Sequence, residues 1–139
     1  MIVVDTNVIH YCWVNGQNTE IAQAVRQKDP EWHAPILWRS ELRNVLTTYL
    51  RREFLTRSQI VGILGVVDQA LAEREHIIPD DLVLDVVASS ALTAYDAEFV
   101  ALAIALSVPL VTEDKAVLKA FPDRALTMEA FLKSCQIAE

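Results

Sequence analysis

Along this chain, short unbroken apolar runs alternate with longer stretches in which apolar residues recur every three or four positions. Ile2-Val3-Val4 is one such run, of the kind needed by a strand buried on both faces of a parallel sheet. The spacing then predicts a helix following Asp5 and another over 19–28, with Ile21, Ala24 and Val25 on one face. Trp32-His33-Ala34 reads as a short strand closed by Pro35. Two longer helices come next. Leu37 to Phe54 carries Trp38, Leu42, Val45, Leu46, Tyr49 and Leu50 as one stripe, and Thr56 to Arg74 carries Ile60, Ile63, Leu64, Val67, Ala70 and Leu71. Thr56 and Gln59 have capping-box spacing, and the short link between the helices predicts an antiparallel pair.

The alternation continues in the second half. Ile77-Ile78 reads as a strand, and Asp80 as the cap of a helix through Val87. Asp96 to Leu106 is apolar nearly all round, as in a helix buried on most sides. Pro109 to Thr112 reads as a strand followed by a helix to about Ala120. Ala125-Leu126-Thr127 reads as a last strand and Met128 to Cys135 as a last helix. No repeat or linker divides the chain. Strands alternating with helices predict one α/β domain over residues 1–139, a three-layer α/β/α fold with a parallel central sheet.

Composition narrows the class. An apolar fraction of 53% over 139 residues suits one domain with a real core, which excludes a disordered chain. The net charge of -7 excludes a uniformly basic nucleic-acid binder. Cys12 and Cys135 lie far apart with no C-x-x-C pair, so they read as free thiols of a reducing compartment and offer no zinc site. MIVVDTNV lacks the basic region of a signal peptide. No apolar run reaches the roughly 18–20 residues of a membrane span. The expectation is a cytoplasmic protein that does not enter a membrane.

The acids change the picture more than the totals do. In an open parallel sheet ligands bind beyond the carboxyl ends of the strands. Asp5 follows the first strand and Asp114 follows Leu110-Val111-Thr112, so both belong at that edge. Glu41 lies beside the apolar stripe of its helix, and Asp96 opens the apolar helix. Each also has a structural reading. Asp5 is a favoured cap, Thr93 and Asp96 have capping-box spacing, Thr112 could cap the helix after Asp114, and Glu41 could pair with Arg52. Together, however, four acids at one edge crowd negative charge that only a cation relieves. Carboxylates without His or Cys suit Mg2+ or Mn2+, and the chemistry that fits is phosphodiester hydrolysis.

The segments VVDTNV, SELRNVL, TAYDAEFVALA and PLVTEDKAVLKAFP resemble the signature segments of PIN-domain nucleases, and the layout is similar to VapC-like toxins of type II toxin–antitoxin modules. The resemblance runs from Ile2 to the last helix. It implies that Asp5, Glu41, Asp96 and Asp114 bind Mg2+ or Mn2+ and position the attacking water, with Thr6, Asn7 and Thr112 orienting them. Glu113 is an extra acid that could share the duty of Asp114. The resemblance also implies an RNA substrate, a homodimer, and a cognate antitoxin protein, with the Leu37–Arg74 hairpin as the partner surface.

Other features weigh less. The Arg39–Arg57 segment has an excess of positive charge, which fits a solvated helix face; as an RNA contact it would use Arg39, Arg43 and Arg52, with Lys115 from the segment after the last acid. His10, His33 and His76 are scattered, as structural histidines are. Trp13, Trp32 and Trp38 fit packing better than base stacking, and Gly62 and Gly65 would allow close approach of another helix. The sequence therefore predicts a metal-dependent endoribonuclease, the toxin of a toxin–antitoxin pair. A housekeeping RNA-processing enzyme and a non-catalytic RNA-binding protein of the same fold are the alternatives. A response-regulator receiver would need an acidic pair after the first strand, which this chain lacks.

Overall fold

The sheet is assembled from the short apolar runs, with the first of them at its centre. The computed structural model describes residues 1–134. Its strands are β1 (Ile2–Val4), β2 (Trp32–Pro35), β3 (Glu75–His76), β4 (Leu110–Val111) and β5 (Ala125–Leu126). They pair in the order β3-β2-β1-β4-β5, every neighbouring pair parallel. Val3 stands opposite His33 on one side and Leu110 on the other. The chain winds outward from β1 through β2 to β3, then returns to add β4 and β5 on the opposite side. The direction therefore reverses between β1 and β4, the place where open α/β sheets form a crevice.

The helices are α1 (Thr6–Trp13), α2 (Thr19–Lys28), α3 (Trp38–Arg51), α4 (Arg57–Ala70), α5 (Asp80–Ala88), α6 (Ala94–Leu106), α7 (Lys115–Ala120) and α8 (Met128–Lys133). Helix α6 lies across β1, β2 and β4, with α5 against it; α1 meets α2, α3 and α4, and α2 meets α8. The parallel sheet is flanked by helices in the three layers expected. All of Ile2, Val3, Val4, Leu110 and Val111 are buried, as are Ile9, Leu42 and Leu46 from the helices. Each large aliphatic side chain so buried contributes about 1.5–3 kcal/mol. The buried Cys12 thiol is pushed up to about 11 by desolvation and is unreactive near neutral pH. Among the described residues no helix is long and apolar enough to cross a membrane.

Several elements differ from expectation. Helix α3 ends at Arg51 rather than Phe54, and α4 at Ala70 rather than Arg74. After each, the backbone passes through the left-handed region, at Glu53 (φ 59°) and Glu73 (φ 66°). A right-handed helix cannot continue through such a residue. Neither is glycine, so composition carried no stop signal.

The edge strand is Glu75–His76, not Ile77-Ile78. Ala34 donates its N–H to the Arg74 carbonyl at 3.1 Å and Ile36 to that of His76 at 2.9 Å. Ile77 falls beyond the ladder and is 83% exposed. Asp80 does not cap α5; it is the first helical residue after Pro79, where its charge suits the positive end of the helix dipole. The capping box of Thr56 and Gln59 is formed in full. Helix α8 ends at Lys133, and Cys135 lies outside the described residues.

The tryptophans pack as expected: Trp32 and Trp38 are buried, and Trp13 meets Trp32 edge-on at 5.7 Å. His33 and His76 hydrogen-bond to each other at 2.8 Å, and His10 bonds the Tyr49 hydroxyl at 2.9 Å. A Cβ built on Gly62 or Gly65 would meet nothing within 4 Å, so nothing within the described chain uses their small size.

Candidate active site

Four acids reach one cleft from four different elements. Asp5 follows β1 and caps α1, its Oδ1 accepting the Asn7 N–H at 3.4 Å. Its own N–H donates to the Val111 carbonyl at 3.1 Å, which ties the exit of β1 to β4. Asp114 closes the turn after β4 and caps α7, accepting from the N–H groups of Ala116 (2.8 Å) and Val117 (3.2 Å). Glu41 lies in the first turn of α3 and Asp96 in that of α6, where the Asp96 N–H is capped by Thr93 at 3.2 Å. The cleft measures about 440 Å3 and is lined by Asp5, Thr6, Asn7, Leu37, Ser40, Glu41, Asn44, Val45, Tyr95, Asp96 and Asp114. It opens at the reversal between β1 and β4.

Two hydroxyls hold the acids in place. Thr112, fully buried, donates to Asp5 Oδ2 at 2.6 Å and accepts the Asp114 N–H at 3.0 Å. One side chain thus sets Asp5 and Asp114 relative to each other. Thr6 donates to Glu41 Oε1 at 2.7 Å, joining the start of α1 to α3. Among the described residues Glu41 makes no ion pair with Arg52; its partner is Thr6.

The electrostatics are uncompensated. Burial raises the Asp5 carboxyl above its ordinary value and Asp114 raises it further, against the lowering pull of the Thr112 bond. Glu41 is raised by burial and then by Asp5, Asp96 and Glu98, with the Thr6 bond opposing. Asp96 is raised by burial, then by Asp114 and Asp5. Among the described residues no lysine or arginine lines the cleft. Desolvation and like charge both disfavour the ionised forms, and a bound cation would reverse both effects.

The donor set is carboxylate and hydroxyl oxygen, which suits a hard divalent cation. Among the described residues no three of the His, Cys, Asp and Glu side chains close into a metal-binding group.

Other sequence candidates go elsewhere. Glu113 turns away from the cleft, its carboxylate accepting the Met128 N–H at 3.0 Å at the start of α8. Arg39 is committed to Asp68 and Glu75, the latter at 2.8 Å, and lies over the Trp38 ring. Arg43 bonds back to the Arg39 carbonyl at 3.2 Å. Arg52 sits at the C-terminal end of α3, away from its first turn. Lys115 is exposed in the first turn of α7, next to Asp114.

Sequence reasoning overlooked Ser40, Asn44, Tyr95 and Glu98. The first two share the α3 face of Leu37, Glu41 and Val45, and that spacing would have found them once Glu41 was placed. Tyr95 immediately precedes Asp96 in α6, and Glu98, two residues beyond Asp96, is outside the lining but near enough to act on Glu41.

Against known proteins, the model of the PIN domain family matches residues 2–122. No curated relative matches by sequence. Among solved structures, PAE2754 from Pyrobaculum aerophilum superposes with a TM-score of 0.73 at 21% identity, over 94% of this chain and 92% of that one. FitAB bound to an IR36 DNA fragment gives 0.73 at 16% identity, over 99% and 100%. FitAcB from Neisseria gonorrhoeae gives 0.72 at 18% identity, over 93% and 99%. At these identities the likeness is one of fold.

Proposed function

The chain belongs to the PIN domain family, whose members are nucleases, and from that premise we propose that it is a Mg2+- or Mn2+-dependent endoribonuclease. The observation that carries the reading is the gathering of Asp5, Glu41, Asp96 and Asp114 in one cleft with no cationic side chain. These four would hold the ion, with waters completing its shell. Bound there, a divalent cation supplies Lewis acidity toward the phosphodiester and a means of activating water.

The chain's own residues do the rest. Thr112 fixes Asp5 and Asp114 from below, and Thr6 aims Glu41 from α3. Asn7 is exposed at the cleft, where its amide would be available to a water or a phosphate oxygen. Of the four cations offered as RNA contacts, Lys115 stands beside an acid of the cleft, and Arg52 and Arg43 would reach only a strand that runs along α3. Arg39 is held in its ion pairs.

The resemblance to VapC-like toxins extends the proposal to a toxin of a toxin–antitoxin pair, a homodimer that meets a cognate antitoxin in the cytoplasm. The exposed side of the α3–α4 hairpin supports this. Leu50, Phe54, Val61 and Val66 are exposed there, beside a groove of about 570 Å3 that Trp13, Leu55 and Ile63 help to line. FitAB is seen bound to DNA. This chain, at -7, would reach DNA only through a basic partner.

The test is cleavage of a mixed RNA pool. Cutting in Mg2+ or Mn2+ that stops with EDTA, and that Asp5→Asn and Asp96→Asn abolish, is the expected result. Cutting by both variants at the wild-type rate would overturn the assignment of the acids.

A further inference from the structure

The cleft has lining residues that metal chemistry leaves unused. Beside the acids it is lined by Ser40, Asn44, Leu37, Val45 and Tyr95. Tyr95 is 64% exposed although it is a large aromatic residue, so packing does not account for it. It immediately precedes Asp96, which places its ring at the rim of the acid cluster. Ser40 and Asn44 are one helical turn apart on α3 and flank Glu41. Both are exposed, and neither side chain is engaged in a hydrogen bond among the described residues.

This part of the lining is neutral. It offers no cation to a phosphate and no carboxylate to a metal. It has an aromatic face, apolar floor groups in Leu37 and Val45, and an amide and a hydroxyl that both donate and accept. A flat ligand with apolar faces and a hydrogen-bonding edge fits that chemistry.

We infer that the neutral lining residues of the cleft seat one unpaired nucleobase next to the scissile phosphate, stacked on Tyr95 and read along its edge by Asn44 and Ser40. The inference rests on the nuclease reading above and deepens it by naming the side chains that choose the base beside the cut. A base inside a duplex cannot leave its stack to lie on a side-chain ring without the cost of unpairing. Tyr95, Asn44 and Ser40 are on this account specificity-determining residues, and the acids remain the chemical machinery.

Two measurements on the full chain test it. In the first, a randomised single-stranded RNA pool is cut in Mg2+ and the new ends are sequenced. The wild type shows a base preference at the position beside the cut. Asn44→Ala and Ser40→Ala flatten that preference. Tyr95→Ala raises KM about 10-fold, the scale of one lost base stack, with kcat within about threefold. Tyr95→Phe, which keeps the ring, stays near wild type.

In the second, binding of a single-stranded RNA oligonucleotide is read by fluorescence anisotropy in Ca2+, a hard cation that also takes carboxylate oxygen. Tyr95→Ala weakens binding about 10-fold and Tyr95→Phe does not. Thermal melting of each variant at the wild-type temperature shows that the fold is intact. Unchanged binding and unchanged ends in Tyr95→Ala overturn the inference, even where the wild type cuts RNA. Tyr95-dependent binding without any cutting would leave the base seat standing and overturn the nuclease reading instead.

Discussion

Arg39 and Glu41 stand two residues apart on α3 and lead into opposite electrostatic settings. On the Arg39 side, Asp68 and Glu75 share its guanidinium, the Trp38 indole donates to Glu75 at 2.5 Å, and the ring of Trp38 lies beneath the cation at 5.0 Å. Charges there are matched and tie α3 to α4 and to the edge strand. On the Glu41 side, four carboxylates converge and only threonine hydroxyls and backbone N–H groups answer them. One helix thus carries a compensated joint and an uncompensated cleft. The contrast teaches where to look for function: the fold neutralises the charge that joins its elements and leaves the charge in the cleft unpaired, as a ligand site would need.

Exchange of residues on the two sides should separate activity from stability. The largest effect is expected in the cleft, where Asp5→Asn or Asp96→Asn lowers metal-dependent RNA cleavage by at least about 100-fold. Asp5→Asn keeps a competent helix cap, so its fold is retained. Arg39→Met, on the other side, leaves the cleavage rate within about threefold. It lowers stability by about 1 kcal/mol, the scale of a part-exposed ion pair, or a few degrees of melting temperature. Steady-state kinetics and thermal melts on the same preparations check both. A matched loss of activity in Arg39→Met would end the distinction between the sides.

A smaller effect is expected from the group that holds the acids. Thr112→Val keeps shape but removes the donor to Asp5 and the acceptor for the Asp114 N–H. It should weaken Mn2+ binding about 10-fold or more, while Asp5 and Asp114 themselves stay present. A calorimetric titration reads this directly. Unaltered affinity would mean that Thr112 serves the fold alone.

Acidity sharpens the same comparison. Asp5, Glu41 and Asp96 have raised pKa values in the folded chain, first through burial. A raised carboxyl binds its proton more tightly folded than unfolded. Its stabilising contribution is therefore complete below the unfolded value near pH 4 and is lost as pH rises through the raised value. The metal-free cleft is thus a burden at neutral pH, which a divalent cation would relieve. Asp96→Asn should stabilise the metal-free protein at pH 7 by no more than about 1 kcal/mol, because Asp96 is part-exposed and screened, and a thermal melt reads this as a gain of a few degrees at most. The melting-temperature gain from Mn2+ should be larger at pH 7 than at pH 5, since protons compete for the same oxygens. An equal gain at both values would show that these acids do not take the metal.

Much of this arrangement was legible in the residues. Ile2-Val3-Val4 followed at once by Asp5, and Leu110-Val111-Thr112 followed by Asp114, placed both acids at one sheet edge through strand length and parallel topology alone. Local spacing offered Thr112 as the cap of the helix at Asp114, but Asp114 is itself the cap, and the link from Thr112 to Asp5 was legible only through resemblance because nothing local reveals it.

Elsewhere the physical signal was absent or shared. Helices α3 and α4 stop at left-handed Glu53 and Glu73, where no glycine marks the turn. Ile77-Ile78 has the stronger strand propensity, yet pairing with β2 and the anchoring of Glu75 and His76 move the strand two residues earlier. Arg39 looked like a surface cation because its partners, Asp68 and Glu75, are distant along the chain. Glu113 and Asp114 are adjacent acids that only the backbone path tells apart, one turned to α8 and one to the cleft.

The most direct test of the central claim is a Mn2+ titration of the wild type, Asp5→Asn and Arg39→Met by calorimetry at pH 7. The account predicts saturable binding by the wild type, the same affinity in Arg39→Met, and affinity at least about 10-fold weaker in Asp5→Asn. Equal Mn2+ affinity in the wild type and Asp5→Asn would contradict it.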